Sequence, residues 1–310
     1  MSASTVRKPD LFIVGAPKCG TSALSTYLRQ HPQVFMARWK ELHYFGSDVR
    51  YPQRPSLEEF HSHFAEARDE LRVGEASTSY LFSRRAAQEI RDYNPAARIV
   101  IMLRNPVDMM YSLHSELLYW LNEDIDDFAG ALAAEEDRRQ GRRWPTRVHI
   151  VDYLQYRHVA RFAEQVSRYF EVFGRDRVHV IIQEDLHRNR AEVFRDTLAF
   201  LDVRTDFRPD FGDVNGNKRV RSKRLQMLLL EPPEPLRRVR EDMLPTRVDE
   251  LVFGRLRGLN TSRRPRPRMD PGLRHRLQLE FAPEVERLSE LLGRDLTHWS
   301  AEAALAASPS

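Results

Sequence analysis

Leu11-Phe12-Ile13-Val14-Gly15-Ala16-Pro17-Lys18-Cys19-Gly20-Thr21-Ser22 is the stretch whose reading decides the fold. Its first four residues form a continuous apolar run bounded by Gly15, the pattern of a strand buried on both faces of a parallel sheet. From Thr21 the apolar positions Ala23, Leu24, Tyr27 and Leu28 keep helical spacing until His31-Pro32 ends it. The connection between strand and helix carries Gly15 and Gly20 at the spacing of a Walker A loop, yet Thr21 stands where the Walker lysine follows the second glycine. Backbone N–H groups at a helix N-terminus still attract an anion, and Thr21 and Ser22 add hydroxyl donors. The cation has moved, because Lys18 approaches from the loop apex instead of the first helical turn.

The same alternation continues outward. Arg72-Val73-Gly74-Glu75 reads as a short strand, 84–93 as a helix, and Arg98-Ile99-Val100-Ile101-Met102-Leu103 as a second buried strand stopped at Asn105-Pro106. A helix is predicted from Pro106, with Val107, Met110, Tyr111, Leu113, Leu117 and Leu118 at helical spacing. A long amphipathic helix is predicted over 152–173, with Val159, Phe162, Val166, Tyr169, Phe170 and Phe173 on one face and Gly174 as its stop. A third strand follows at 177–182 and a helix at 190–201. Strands alternating with helices predict a doubly wound α/β fold with a central parallel sheet flanked by helices. After Asp206 the chain becomes rich in Pro, Gly, Asn and Arg, with helical stretches near 222–230, 247–256 and 271–292. One domain spanning 1–310 is expected: an α/β core at 10–205, a mostly helical C-terminal lobe at 206–300 and a tail at 301–310.

Composition sets the outer bounds. The 310 residues are 41% hydrophobic, enough for one large core. Lys+Arg number 49 against 45 Asp+Glu, a formal charge of only +4, although arginine crowds 134–147, 219–224 and 263–276. Cys19 is the sole cysteine, which excludes an internal disulfide and a multi-cysteine zinc site and points to a reducing compartment. No window approaches the roughly 18 apolar residues of a membrane span, and 11–16 is too short for a signal-peptide core. A cytoplasmic location without a membrane anchor is the expectation.

The second apolar strand ends in Arg104-Asn105-Pro106, with Ser112 on the following helix. A nucleotide triphosphatase needs a metal-holding acid at such a strand end, and here the slot is a cation. Two phosphate-binding elements at two strand C-termini suit a nucleotide phosphorylated on both its 5′ and 3′ sides.

Pro17-Lys18-Cys19-Gly20-Thr21-Ser22-Ala23-Leu24 resembles the 5′-phosphosulfate loop of sulfotransferases that use 3′-phosphoadenosine 5′-phosphosulfate (PAPS), and Arg104-Asn105-Pro106 with Ser112 resembles their 3′-phosphate motif. Lys40-Glu41-Leu42-His43-Tyr44-Phe45 is similar to the Lys-Glu-x-His-Phe-Phe segment of heparan-sulfate-type and bacterial members, as distinct from the cytosolic phenol and steroid enzymes. The terminal Leu-Leu-Gly-Arg-Asp-Leu-x-x-Trp of 291–299 also looks like the tail of many bacterial members. The resemblance implies a P-loop-type three-layer fold and O-sulfation without a metal, PAPS being the sulfuryl donor and 3′-phosphoadenosine 5′-phosphate (PAP) the product.

It also implies roles for individual residues. Lys18 stabilises the charge that builds on the leaving phosphate oxygen. Glu41 takes the proton of the acceptor hydroxyl, with His43 as the rival base; in a strand the two share a face. Lys18, Cys19, Gly20, Thr21 and Ser22 bind the 5′ side, Arg104 and Ser112 the 3′-phosphate, and Lys218 and Arg221 belong to a late basic loop over the nucleotide. Glu75 and Tyr80, in Glu75-Ala76-Ser77-Thr78-Ser79-Tyr80, are expected to line the acceptor cleft. The acceptor is expected to be a small-molecule or carbohydrate hydroxyl, with no nucleic-acid partner, in a bacterial enzyme. Two other readings stay open on the residues: a small-molecule or nucleotide kinase, and a non-catalytic binder of nucleic acid or a sulfated polymer.

Overall fold

In this computed structural model, residues 7–212, 219–230, 232–234, 255–256, 258–262 and 266–300 are described. They divide into two compact units, one formed by 1–113, 149–215 and 269–310, the other by 114–148 and 216–268. In chain order the strands of the first unit are β1 (Leu11–Gly15), β2 (Val34–Met36), β3 (Arg72–Ala76), β4 (Arg98–Leu103) and β5 (Val178–Ile182). The helices are α1 (Thr21–Arg29), α2 (Leu57–Ser62), α3 (Ala86–Tyr93), α4 (Pro106–Tyr119), α5 (Phe128–Ala133), α6 (Glu135–Arg139), α7 (Tyr156–Val159), α8 (Phe162–Phe173), α9 (Gln183–Arg188), α10 (Arg190–Phe200), α11 (Lys223–Leu230) and a C-terminal helix, Pro271–Leu292.

The first unit is the expected α/β fold: a five-stranded sheet, order β2-β3-β1-β4-β5, with every paired strand parallel. Leu11, Phe12, Ile13, Ile99, Val100 and Ile101 are wholly buried, as unbroken apolar strands covered on both faces by helices must be. β1 lies between β3 and β4, and parallel pairing brings the C-terminal ends of all three to one edge of the sheet. Chain order leaves β1 toward β3 on one side and β4 on the other, which makes that edge the crevice where open α/β sheets bind ligands.

Three expectations about elements need correction. The helix predicted over 152–173 is a short 3-10 turn at Val151–Leu154, then α7, then α8. The break at 160–161 is held from both sides: Gln165 Nε2 donates to the carbonyls of His158 and Val159, and the Glu284 carboxylate accepts from Ala163 N at 2.7 Å at the start of α8. β2, only three residues long, carries no readable period and was not expected. Residues 41–43 are not a strand, since Glu41 and His43 both have left-handed φ values, 61° and 55°. Most of the helix expected near 247–256 lies outside the described residues.

The second unit contains α5, α6, α11 and a two-stranded antiparallel pairing of Arg219–Val220 with Thr261–Ser262. Its interior is polar in part. Arg138 and Glu123 form a buried two-pronged ion pair at 2.7 and 2.6 Å, and Asn260 ties Ser222 to Gln226. Among the described residues, no helix is long and apolar enough to cross a membrane.

Candidate active site

The loop after β1 is shaped by two glycines. A Cβ on Gly15 would come 2.6 Å from Leu81 Cβ and 2.9 Å from the Thr78 carbonyl, so the turn after β3 runs directly against this position. Gly20 has φ 98° and precedes α1, whose N-terminus receives no side-chain cap. The first amides of α1 therefore face the loop uncapped. Lys18 occupies the apex at φ 61°. Cys19 points inward: its Sγ donates to the Pro17 carbonyl at 3.3 Å, and burial pushes its thiol up to about 12 although Arg104 and Lys18 pull the other way. The thiol is thus a neutral packing group, which leaves only the main chain of Cys19 to an anion.

Lys40 was not singled out in the sequence, yet its ammonium donates to Thr21 Oγ1 at 3.0 Å and Ser22 Oγ at 2.9 Å. The next residue is Glu41, whose carboxylate lies 3.9 Å from the same ammonium. Thr78 holds that carboxylate by both oxygens, its N–H on Oε2 at 2.9 Å and its hydroxyl on Oε1 at 3.1 Å. Tyr153 OH lies 2.9 Å from Thr78 Oγ1. The segment that carries Lys40 and Glu41 is anchored by Glu41 N on the Ala76 carbonyl and by Gly46 N and Ser47 N on Glu89.

His43 is brought beside Glu41 even though no strand forms. Its Nδ1 is 4.0 Å from Glu41 Oε2 and 3.2 Å from Ser79 Oγ, and its ring stacks on Tyr51 at 4.6 Å. Burial first, then the nearby His149 and Arg54, push its pKa down to about 3. The imidazole is therefore neutral at ordinary pH, and its approach to Glu41 is not an ion pair.

Glu75 and Tyr80, expected to line a cleft, are 1% and 0% exposed. They stand behind the segment instead: the Tyr80 hydroxyl accepts from Tyr44 N at 3.0 Å and Phe45 N at 3.3 Å, and Ser77 Oγ donates to Glu75 Oε2 at 2.9 Å. Burial pushes the Glu75 carboxyl up to about 8. The physical reason is that β3 is covered on both faces, so Glu75 is buried whichever way it points, and Tyr80 follows in a 3-10 turn, Thr78–Tyr80, that is itself buried.

At the end of β4, Arg104 is a half-buried guanidinium with no hydrogen-bond or ion-pair partner among the described residues. Asn105 caps α4, its Oδ1 accepting from Val107 N at 3.0 Å and Asp108 N at 3.3 Å. Its Nδ2 donates to the Trp299 carbonyl at 3.0 Å, and the indole of Trp299 donates to Glu184 at 2.7 Å. The C-terminal tail is thereby fastened beside the loop that presents Arg104. Ser112 is buried on α4. Lys218 lies outside the described residues, and Arg221 is an exposed residue of the second unit whose N–H donates to the Asn260 carbonyl.

The loop after β1, the cation at the end of β4 and the carboxylate beside the loop all lie within a stretch that matches a known family. Residues 8–218 match the sulfotransferase domain model. The chain belongs to the sulfotransferase family. A solved sulfotransferase from Alicyclobacillus acidocaldarius is 33% identical and aligns over 96% of this chain and 100% of its own, with a TM-score of 0.72. Carbohydrate sulfotransferase 15 of Mus musculus is 30% identical over 165 residues, 39% of this chain and 29% of that protein. Bifunctional heparan sulfate N-deacetylase/N-sulfotransferase 1 of Caenorhabditis briggsae is 23% identical over 218 residues, 66% of this chain and 24% of that protein. The chain spans less than a third of the length of these curated relatives. In this chain Lys40, Thr78 and Tyr153 are the site neighbours that the sequence did not single out; the available signals were a lysine directly preceding Glu41 and, for Thr78, its place in the 75–80 segment.

Proposed function

We propose that the chain transfers a sulfuryl group from PAPS to an acceptor hydroxyl, without a metal. One observation carries the reading: Lys40 binds the hydroxyls of Thr21 and Ser22 while the adjacent Glu41 is gripped by Thr78, so the ammonium that meets the donor loop and the proposed base belong to neighbouring residues. The acceptor oxygen gives its proton to Glu41 and forms a bond to sulfur as the bond from sulfur to the 5′-phosphate oxygen breaks. Negative charge grows on that leaving oxygen. Lys18, Lys40 and the uncapped amides of α1 stabilise it more than they stabilise bound donor, which is what accelerates the step. Arg104 and Ser112 take the 3′-phosphate, and the carbohydrate-named relatives support a hydroxyl on a carbohydrate or another small molecule as acceptor.

Calorimetry tests the donor directly. PAP is expected to bind at least tenfold more tightly than ADP, and Arg104→Ala to lose most of that preference while the fold is kept, since a charge-assisted bond is worth about 1.5–3 kcal/mol. Equal affinities would overturn the two-phosphate reading.

A further inference from the structure

We propose that Tyr153 is a positioning residue for Glu41: its hydroxyl, acting through Thr78, orients the carboxylate and holds it in the ionised form. The inference rests on Glu41 being the base. An ionised carboxylate only accepts hydrogen bonds, and a threonine hydroxyl has one proton. With Thr78 Oγ1 at 3.1 Å from Glu41 Oε1, that proton is committed to the carboxylate. The 2.9 Å contact between Thr78 Oγ1 and Tyr153 OH then runs one way, with Tyr153 donating and Thr78 accepting. The result is a directed chain, Tyr153 to Thr78 to Glu41, in which each hydroxyl polarises the next and all of them favour negative charge at its end.

Packing alone does not require the hydroxyl. The Tyr153 ring meets Phe82 edge-on at 5.4 Å, a contact phenylalanine would keep. Burial and the nearby Glu41 push the Tyr153 phenol far up, so it stays a proton donor throughout the working range. Thr78 and Tyr153 are 75 residues apart in sequence, and the contact fastens the 3-10 turn at Val151–Leu154 to the residue that holds the base.

Other charged or titratable groups face Glu41: Lys40 and His43 from its own segment, Glu75 at the end of β3, and Tyr51, with His149 beyond His43 at 6.1 Å between rings. Tyr153 reaches this group by one other route, a hydrogen bond with Ser79, which in turn meets His43 Nδ1 at 3.2 Å and Tyr51 OH at 2.9 Å; Ser79→Ala, expected to leave the Glu41 titration in place, separates that route from the one through Thr78. The test is a 13C NMR titration of the glutamate carboxyls in the full chain bound to PAP, with Glu41→Gln identifying the signal. Tyr153→Phe is expected to move the Glu41 titration to higher pH by about half a unit to one unit, and Thr78→Val by more. Thr78→Ser should restore it, and Tyr153→Phe should add nothing to Thr78→Val. PAP release from PAPS with water as acceptor should show the same displacement of its acid limb. A wild-type Glu41 titration in Tyr153→Phe, or full additivity with Thr78→Val, would overturn the proposal; should Thr78→Val fail to fold, the Tyr153→Phe titration alone decides. If the titration moves as expected while Glu41→Gln turns over normally, the base assignment fails and the positioning chain stands.

Discussion

Lys40 places its ammonium 3.0 Å from the Thr21 hydroxyl, joining the segment that bears the candidate base to the loop that bears the candidate donor site. The two are 19 residues apart, so the contact is made by the turn from β2 and not by local geometry. Lys40→Ala is expected to reduce kcat/KM for PAPS by about 10- to 100-fold, the range of one lost charge-assisted bond. Lys40→Arg should rescue poorly, because a planar fork does not fit a site built around a point charge. Steady-state kinetics with labelled PAPS measure both; an unchanged kcat/KM in Lys40→Ala would remove the residue from the site.

Glu41 and Lys18 are expected to fail differently. Glu41→Gln should keep PAP affinity nearly intact and lose about 10²–10⁴-fold in turnover, the usual worth of a general base. Lys18→Ala should lose rate and also weaken PAP, since the proposed function has its ammonium meet the nucleotide in the ground state as well. Calorimetry beside single-turnover rates separates the two patterns, and a Glu41→Gln enzyme with normal turnover would dismiss it as base.

His43 is held neutral, with its pKa near 3 against an ordinary 6.5. A lowered histidine pKa contributes stability that is complete above the unfolded value and is lost as pH falls from about 6.5 toward 3. His43→Gln should therefore flatten the acid side of the stability curve. The acid limb of the pH–rate profile should survive in His43→Gln, because the base is proposed to be the neighbouring Glu41. Loss of that limb, with PAP binding intact, would make His43 the base.

Glu75 has the opposite sign. Its folded pKa, about 8, lies above the ordinary 4.5, so the folded state holds a proton that the unfolded chain releases. Stability should decline as pH rises from about 4.5 to about 8 and level off beyond. Glu75→Gln keeps the shape and removes the ionisation, and should be the more stable protein at pH 8 by an amount on the order of a few kcal/mol. Denaturant titrations at pH 5 and pH 8 check this. A Glu75→Gln protein that parallels wild type at both pH values would mean the carboxyl is not held neutral.

The sequence by itself determined the α/β class, the strand-loop-helix at 11–29, the strand at 98–103 and the helices from Pro106 and Pro271, because these depend on apolar period, proline and glycine over neighbouring residues. Lys18, Arg104 and Glu41 were legible as chemistry out of place: a loop without its Walker lysine, a strand end with a cation, and a carboxylate inside a family segment. Tertiary structure alone decided the rest. Whether 152–173 is one helix depended on Glu284, more than a hundred residues later, meeting Ala163 N. That Glu41 and His43 share a site without sharing a strand depended on two left-handed residues tethered to the end of β3, and that Glu75 and Tyr80 face inward depended on how that strand is packed. The contacts of Lys40 with Thr21 and of Tyr153 with Thr78 have no local signature, because a period reports which face of an element is buried and carries no record of which distant side chain will meet it there.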